Sequence, residues 1–584
     1  MKTESERVFA EKRWTVRAAD PRRARALAQA LGVSEVVAGL LVARGAETEE
    51  AARAVLSPSF AQLHDPSLML GMKESVARVL RAIDAGERIL IYGDYDVDGT
   101  TGTVVLRRAL QVLGARTGYH VPHRFTEGYG IRRDVLERAK EEGYTLVISV
   151  DCGIRAFEPL EWAKAHGLDC IVTDHHLPDD AEGSPPAFAV LNPNQRGCPY
   201  PDKNLAGVGV AFKLAHALFR ERGRESQVSG FLKVVAIGTV ADVAQLVGEN
   251  RAIVSLGLAD LHRATNPGLR ALMEVAGVDD GREMRASDLG FRIGPRINAA
   301  GRMDAARAVV ELFESKTKEQ ARRLATQLDA RNRERQEMQR KITERAVAEL
   351  AFDGSGESAI AVVAGEGWHR GVIGLAASKI VEKLNRPAVV ISLDEDGTGH
   401  GSARSTEDFH LLDALTACSD LFESFGGHAH AAGLVIRREN VSELRRRLNE
   451  YAARVPCAAD ADAEPCLHVD MELPSDALSL ELFGELSALE PFGAGWPRPV
   501  FWTRRLRVVG EARLIKERHL KFGVAGPDGR VHDAIWWSGA EKASATPRPG
   551  QSIELAYAVE SNTWNGTTRL QLEVQDMRKV ISDE

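Results

Sequence analysis

From Arg88 onward the chain alternates short apolar runs with amphipathic stretches, and several of those runs end on acidic or imidazole side chains. Runs at 88–92, 117–121, 145–150, 169–173 and 187–191 have strand length, with helical patterns between most of them. This alternation predicts an α/β fold with a doubly wound, mostly parallel sheet. Open sheets of that kind bind ligands at the carboxyl ends of their strands. There the first run is followed by Gly93-Asp94-Tyr95-Asp96-Val97-Asp98-Gly99, the third by Asp151-Cys152-Gly153, and the fourth by Asp174-His175-His176. Distant stretches of sequence therefore send Asp and His to one edge.

Carboxylates as close as Asp94, Asp96 and Asp98 raise one another's pKa, and a divalent cation is the usual means of keeping all of them ionised. Oxygen-rich ligand sets favour magnesium or manganese. The string also matches the opening of an EF-hand loop. That loop requires Glu where this chain has Val105, and a helix where an apolar strand precedes. Asp98 could cap the helix expected near Thr100, but capping uses one carboxylate. A lone His is more often a satisfied polar group than a ligand; adjacent His175 and His176 beside an Asp, facing further carboxylates, favour ligation. Asp242, in G-T-V-A-D-V, can complete the set. Mixed Asp and His ligands with open positions suit a pair of Mn²⁺ or Mg²⁺ ions, which clamp a phosphate and activate a bridging water. No G-x-x-x-x-G-K-[ST] loop competes with this reading. Metal-assisted phosphoester hydrolysis is the reaction class these residues suggest.

The chain's 584 residues are too many for one core and predict several domains. Residues 1–85 read as a helical segment packing on the catalytic domain, with helices at 22–31, 49–56 and 73–85. The catalytic α/β domain spans 86–310, followed by a connecting helical stretch at 311–352 without Pro or Gly. A second, smaller α/β domain at 353–454 has strands near 359–364 and 387–392. A linker at 455–465 leads to a C-terminal domain at 466–584, whose short strands and turns at Gly526–Gly529 and Asn565-Gly566 predict an OB-type β-barrel. Arg331, Arg333, Arg335 and Arg340 of the connecting stretch read mainly as solvated helix surface, with a DNA-facing role as the alternative. Trp502, Trp536, Trp537 and Trp564 lie among basic residues in the barrel, a pattern that suits stacking on single-stranded nucleic acid, with most of these rings expected in the core.

The six cysteines form no C-x-x-C pair, which argues for a reducing, cytoplasmic setting and against structural zinc. No apolar run is long enough for a membrane span, and Met1 to Arg17 has no apolar signal core. A net charge of −8 speaks mildly against nonspecific coating of duplex DNA and leaves local basic patches open.

In order along the chain, D-Y-D-V-D-G, V-D-C-G-I, T-D-H-H, G-T-V-A-D-V and R-I-N-A-A-G-R (296–302) resemble the DHH phosphoesterase superfamily. W-H-R-G-V-I-G (368–374), G-S-A-R-S (401–405) and F-G-G-H-A-H-A-A-G (425–433) resemble its DHH-associated domain. From about Leu63 to the C-terminus the chain resembles the bacterial branch of single-strand-specific 5′→3′ DNA exonucleases. The resemblance implies a monomer acting on single-stranded DNA in repair and recombination, with a single-strand-binding protein and a DNA helicase as partners. It also implies two ions, Mn²⁺ or Mg²⁺, with Asp151 bridging, Asp96 on one ion, and Asp98, His175 and Asp242 on the other. Asp94 belongs to the same set and supports it. His176, Asn298 and Arg302 are implied at the substrate phosphate. Arg124 and Tyr129 would grip the 5′-terminal nucleotide, with Ser402, Arg404, Gly426, Gly427 and His428 supplied by the second domain. Two other readings are a DHH phosphodiesterase of short oligonucleotides or cyclic dinucleotides, and a non-catalytic scaffold. Such phosphodiesterases carry a His-led first motif where this chain has Tyr92, and scaffolds lose metal ligands that are all present here. One departure stands out: Trp496 in P-F-G-A-G-W-P-R-P, where relatives usually carry Asn.

Overall fold

The computed structural model describes residues 13–179, 181–278, 282–303, 305–352, 358–454, 466–541, 546–564 and 566–580. A short strand, β1 (Arg13–Val16), opens the chain. The first sheet contains β2 (Arg88–Tyr92), β3 (Arg116–His120), β4 (Tyr144–Val150), β5 (Asp169–Thr173) and β6 (Ala189–Leu191). Its order is β3-β2-β4-β5-β6 and every pairing is parallel. Ile89, Leu90, Ile91 and Tyr92 are all buried, because helices cover both faces of a parallel sheet and leave no solvent side. All carboxyl ends consequently lie along one edge, as the alternation predicted.

The connecting stretch is two helices. Ala306–Phe313 ends at Glu314, and Lys318–Phe352 begins after Thr317, whose hydroxyl accepts from the Gln320 N–H at 3.2 Å as an N-cap. The second sheet contains β7 (Ala361–Glu366), β8 (Ala388–Leu393), β9 (Thr398–Arg404), β10 (Phe422–Gly427) and β11 (Ala431–Arg437), in the order β10-β11-β9-β8-β7. Only β7 and β8 run parallel, joined through the helix Arg370–Leu384.

Past β12 (Cys466–Val469) and β13 (Met471–Glu472), five strands close into a barrel: β14 (Phe501–Ile515), β15 (His519–Ala525), β16 (Val531–Trp536), β17 (Ser552–Trp564) and β18 (Thr567–Lys579). Closure is made by β14 pairing with β17, which removes the exposed edges. Gly529 closes the predicted turn through its N–H to Gly526 O at 3.0 Å. Asn565 and the 455–465 linker lie outside the described residues. Among the described residues no helix is long and apolar enough to cross a membrane.

The N-terminal segment departs from expectation. Ala24, Leu27, Val37, Leu40, Leu41 and Ala52 share one core with barrel residues such as Phe501, Leu555 and Tyr557. β1 also pairs in parallel with β12. The part from Phe60 to Ile83 packs with the catalytic sheet. An amphipathic helix shows that it needs an apolar partner, not which one. Trp496 is 6% exposed at this junction, with the guanidiniums of Arg44 and Arg251 lying 5.1 and 5.0 Å from its ring centroid. Its indole N–H donates to Leu489 O at 3.0 Å.

Candidate metal centre and anion pocket

The turn after β2 is built by its own carboxylates. Asp96 caps the helix Val97–Val112 by accepting from the Gly99 N–H at 3.0 Å. Asp98 is fully buried and accepts from the N–H groups of Gly207 and Val208, at 2.6 and 2.7 Å, at the start of the helix Gly207–Glu221. That helix end carries positive dipole and free N–H groups, which suits a buried carboxylate. Gly207 also leaves room for Asp151, since a Cβ there would lie 2.6 Å from Asp151 Oδ1.

Asp151, directly after β4, sits at φ 61, a left-handed conformation that L-residues seldom adopt. Its N–H is held by Thr173 O at 2.9 Å, and its carbonyl accepts from the Tyr129 hydroxyl at 3.2 Å. Asp174, after β5, acts as a brace: Oδ1 accepts from the N–H groups of His175 and His176 and from His176 Nδ1, while Oδ2 accepts from the Ile154 N–H. Burial is the largest influence and would raise the Asp174 carboxyl; the hydrogen bond and charge of His176, with the Ile154 and His176 N–H groups, together outweigh it and hold the pKa below the usual range. His176 responds in kind: burial disfavours its charged form, but Asp174 lifts its pKa above the ordinary value.

These turns converge. His175 Nε2 lies 3.2 Å from Asp151 Oδ1, 3.7 Å from Asp98 Oδ2 and 4.0 Å from Asp242 Oδ2. Three groups each bring their ligand atoms within 4.8 Å of one another: Asp94, Asp96 and Asp151; Asp98, His175 and Asp242; Asp151, His175 and His176. Asp151 therefore sits where two ligand sets meet. Without a cation such a cluster is unfavourable. Burial, then repulsion from Asp96, pushes Asp94 up to about 8. Burial, then Asp98 and Asp96, pushes Asp242 up to about 9. Asp151 is raised well above its ordinary value by burial and by Asp98. Oδ1 of Asp94 and Oδ1 of Asp151 are buried and accept no hydrogen bond. Buried acceptors without donors need a compensating charge, and hard divalent cations with oxygen and imidazole ligands fit this donor set.

A second cluster, of opposite sign, adjoins the first. Arg124 lies over the Tyr95 ring at 4.8 Å. Arg302, at the end of the helix Gly294–Arg302, donates to Gly371 O at 3.1 Å across the domain boundary. Burial, followed by repulsion from Arg124, Arg335 and Arg404, pulls the Arg302 guanidinium down to about 10. Arg404 donates to Ser402 Oγ at 3.1 Å and to Ala403 O at 2.8 Å. Arg124, Phe125, Ser402, Phe425 and Gly426 line a groove of about 630 Å³ between the first and second domains. Four guanidiniums with so few carboxylate partners suit an anion.

Several expected roles look different in place. Asn298 Oδ1 accepts the Val97 N–H at 3.2 Å, so this side chain anchors the acidic turn. Tyr129 bonds His176 Nδ1 at 3.1 Å as well as Asp151 O. Gly427 adopts φ 150 against Ala431 O, which a side chain would overlap. His428 is exposed, and its backbone N–H donates to Ala431 O. Arg335 departs from the solvated surface expected of it. Arg331, Arg333 and Arg340 are exposed and pair with acidic neighbours, whereas Arg335 turns inward, its Nε buried without an acceptor. Its spacing along the helix was the available signal. In the barrel, Trp536 is core, Trp502 stacks under Arg504 at 4.1 Å, and Trp537 is 51% exposed against His519. The side chain of Trp564 lies outside the described residues.

Comparison with known proteins agrees along the whole chain. Residues 88–239 match the DHH family N-terminal domain, 356–454 the DHHA1 domain and 469–576 the RecJ OB domain. The single-stranded-DNA-specific exonuclease RecJ of Bacillus subtilis is 39% identical over 97% of this chain and 70% of its own length. That of Dickeya dadantii is 37% identical over 89% of this chain and 93% of its own. The crystal structure of Thermus thermophilus RecJ with Mn²⁺ superposes with a TM-score of 0.82 at 31% identity, covering 98% of this chain and 80% of that one. A second crystal structure of the Thermus protein contains Mg²⁺, with a TM-score of 0.77. With the motifs in order, the three domains in place and both charged clusters formed, this chain belongs to the RecJ family of DHH proteins.

Proposed function

We propose that this protein is a metal-dependent exonuclease that degrades single-stranded DNA from its 5′ end and releases 5′-mononucleotides. The adjacency of the two clusters carries the reading: Arg302 faces the other arginines, while a Cβ on neighbouring Gly301 would meet Tyr95 O at 2.2 Å and Asp96 Cα at 3.8 Å. An anion pocket that close to the acidic centre positions the phosphodiester next to a held 5′-phosphate. The product is then one nucleotide.

Asp94, Asp96 and Asp151 would hold one ion; Asp98, His175 and Asp242 the other, with Asp151 reaching both. Bound there, Mn²⁺ or Mg²⁺ lowers the pKa of a coordinated water and stabilises charge on the attacked phosphate. The chain's own residues orient the substrate. Arg404 and Ser402, with Arg124, Arg302 and Arg335, hold the terminal phosphate by charged hydrogen bonds. Asp174 and Tyr129 engage His176 Nδ1, which leaves Nε2 for a phosphate oxygen. Single-strand selectivity follows from a groove bounded by both domains, and the barrel's Trp537, Trp502 and Arg504 offer stacking and charge without reading sequence. An enzyme that needs single strands draws on a helicase and a single-strand-binding protein in repair and recombination. A non-catalytic scaffold would not need the ligand sets that converge here.

Digestion of 5′- and 3′-end-labelled single strands and duplexes, with Mn²⁺, Mg²⁺ or chelator, tests the proposal. Mononucleotides released from the 5′ end of single strands alone, and only with metal, are expected. Internal cleavage or 3′ release would contradict it.

A further inference from the structure

Phe291 is 83% exposed, more than any other large apolar side chain recorded among the described residues. A single exposed apolar residue is ordinary on a protein surface. Three features set this one apart.

The first is its helix. Ala286–Asp288, the π-helical turn Leu289–Ile293 and Gly294–Arg302 follow one another without a break. The far end of this run carries Arg302 in the anion pocket, and Asn298, one turn earlier, holds the acidic turn. Phe291 lies seven residues before Asn298, a rise of about 10 Å away from the anion pocket. A strand that enters the pocket by its 5′ end and crosses the acidic centre continues in that direction. At a rise of about 3.4 Å per stacked nucleotide, Phe291 falls on the order of two or three nucleotides beyond the scissile bond.

The second is the turn itself. Pro295 has no N–H to give to the Phe291 carbonyl, and the Gly294 N–H reaches back to Leu289 O instead. The widened turn projects Phe291 outward, and π-turns of this kind recur at functional sites.

The third is its neighbours. A Cβ at Gly290 or Gly294 would lie 3.5 Å from Val240 or 2.8 Å from Ala241, so this helix packs on the last turn of Leu232–Ala241, directly before Asp242. Val243, next in the chain, is 71% exposed at φ 61. The apolar side chains of Val240 and Ala241, beside Asp242, thus lie against the turn that carries Phe291.

We infer that Phe291 is a stacking platform for a base of the bound single strand, two or three nucleotides to the 3′ side of the scissile phosphate. The inference rests on the exonuclease reading above, and its role is positioning. It makes binding depend on substrate length without any sequence preference, because every base has a π-face.

The test uses the full-length protein with 5′-phosphorylated oligothymidylates from the dinucleotide to the dodecamer, and dodecamers with one abasic position. For Phe291→Ala, KM for the dodecamer is expected to rise about tenfold, while KM for the dinucleotide, too short to reach the platform, moves far less. An abasic site at the third or fourth nucleotide should raise the wild-type KM by a similar factor and have little further effect on the variant. Phe291→Trp should restore the wild-type pattern. Equal losses on both lengths, an unchanged dodecamer KM, or an abasic penalty that persists in Phe291→Ala would each overturn the inference. Failure of the wild-type protein to degrade single strands would instead overturn the exonuclease reading.

Discussion

His175 Nε2 lies 3.2 Å from Asp151 Oδ1, although one residue follows β5 and the other follows β4. Asp151 reaches this position only through a left-handed backbone, and strained geometry that persists at a site of convergent charge marks function. Asp151→Asn keeps a residue that tolerates this conformation and removes the charge. Activity should fall at least about a hundredfold. Thermal stability in chelator should be unchanged or higher, because the buried repulsion is relieved. A kinetic assay paired with a melting curve reads both. Lost stability in chelator together with retained activity would refute the role.

The raised carboxyls predict how pH acts on the metal-free protein. Asp94 and Asp242, pushed up to about 8 and about 9, keep protons that the unfolded chain releases near its ordinary carboxylate pKa. The folded state therefore binds more protons, and this contribution to stability is full below about pH 4 and is lost as pH climbs through the folded values. Mn²⁺ competes with those protons. The gap in Tm between Mn²⁺ and chelator should widen between about pH 5 and pH 9, and Mn²⁺ binding should release protons. Calorimetry in buffers of different ionisation enthalpy counts them; no release at neutral pH would contradict this account.

Arg335 separates from its helix neighbours by direction alone. Arg335→Gln should lower the preference for 5′-phosphorylated over 5′-hydroxyl ends about tenfold, the worth of one hydrogen bond to a charged group. Arg333→Gln, at an exposed arginine that reaches back to the buried Asp329, should leave that preference unchanged. The ratio of kcat/KM on the two kinds of end is the measurement.

Trp496 fastens the barrel to the rest of the chain. Arg251, on the helix Gly248–Leu261, donates to the carbonyls of Val55, Leu489, Glu490 and Pro491 while lying over the indole. Trp496→Ala should cost about 3–5 kcal/mol in denaturant unfolding. Faster hydrogen exchange should follow in the helix Glu35–Ala43, which shares the barrel's core.

The catalytic sheet was legible in the sequence because local rules decide it. Strand length, β–α alternation and polar residues at strand ends are all encoded within a few residues of one another. The same holds for Asp94, Asp96, Asp98, Asp151 and His175, each tied to the end of a strand. What escaped depends on contacts between distant segments. Helices at 21–56 announce an apolar face but not that the barrel covers it. The N–H groups of Gly207 and Val208 become ligands of Asp98 only once the helix Gly207–Glu221 is docked. The acceptance of the Val97 N–H by Asn298 Oδ1 likewise depends on a helix two hundred residues further along the chain. Trp496, which looked like a departure, proves to fill a slot between two arginines drawn from different parts of the chain.

Equilibrium dialysis against Mn²⁺, comparing the wild-type protein with Asp151→Asn, addresses the central claim most directly. The arrangement of the acidic and imidazole side chains predicts about two ions per wild-type chain, with the occupancy of both reduced in the variant, since Asp151 belongs to the set with Asp94 and Asp96 and its Oδ1 lies 3.2 Å from His175 of the other. Binding of less than one ion per wild-type chain, or identical binding curves for the two proteins, would contradict it.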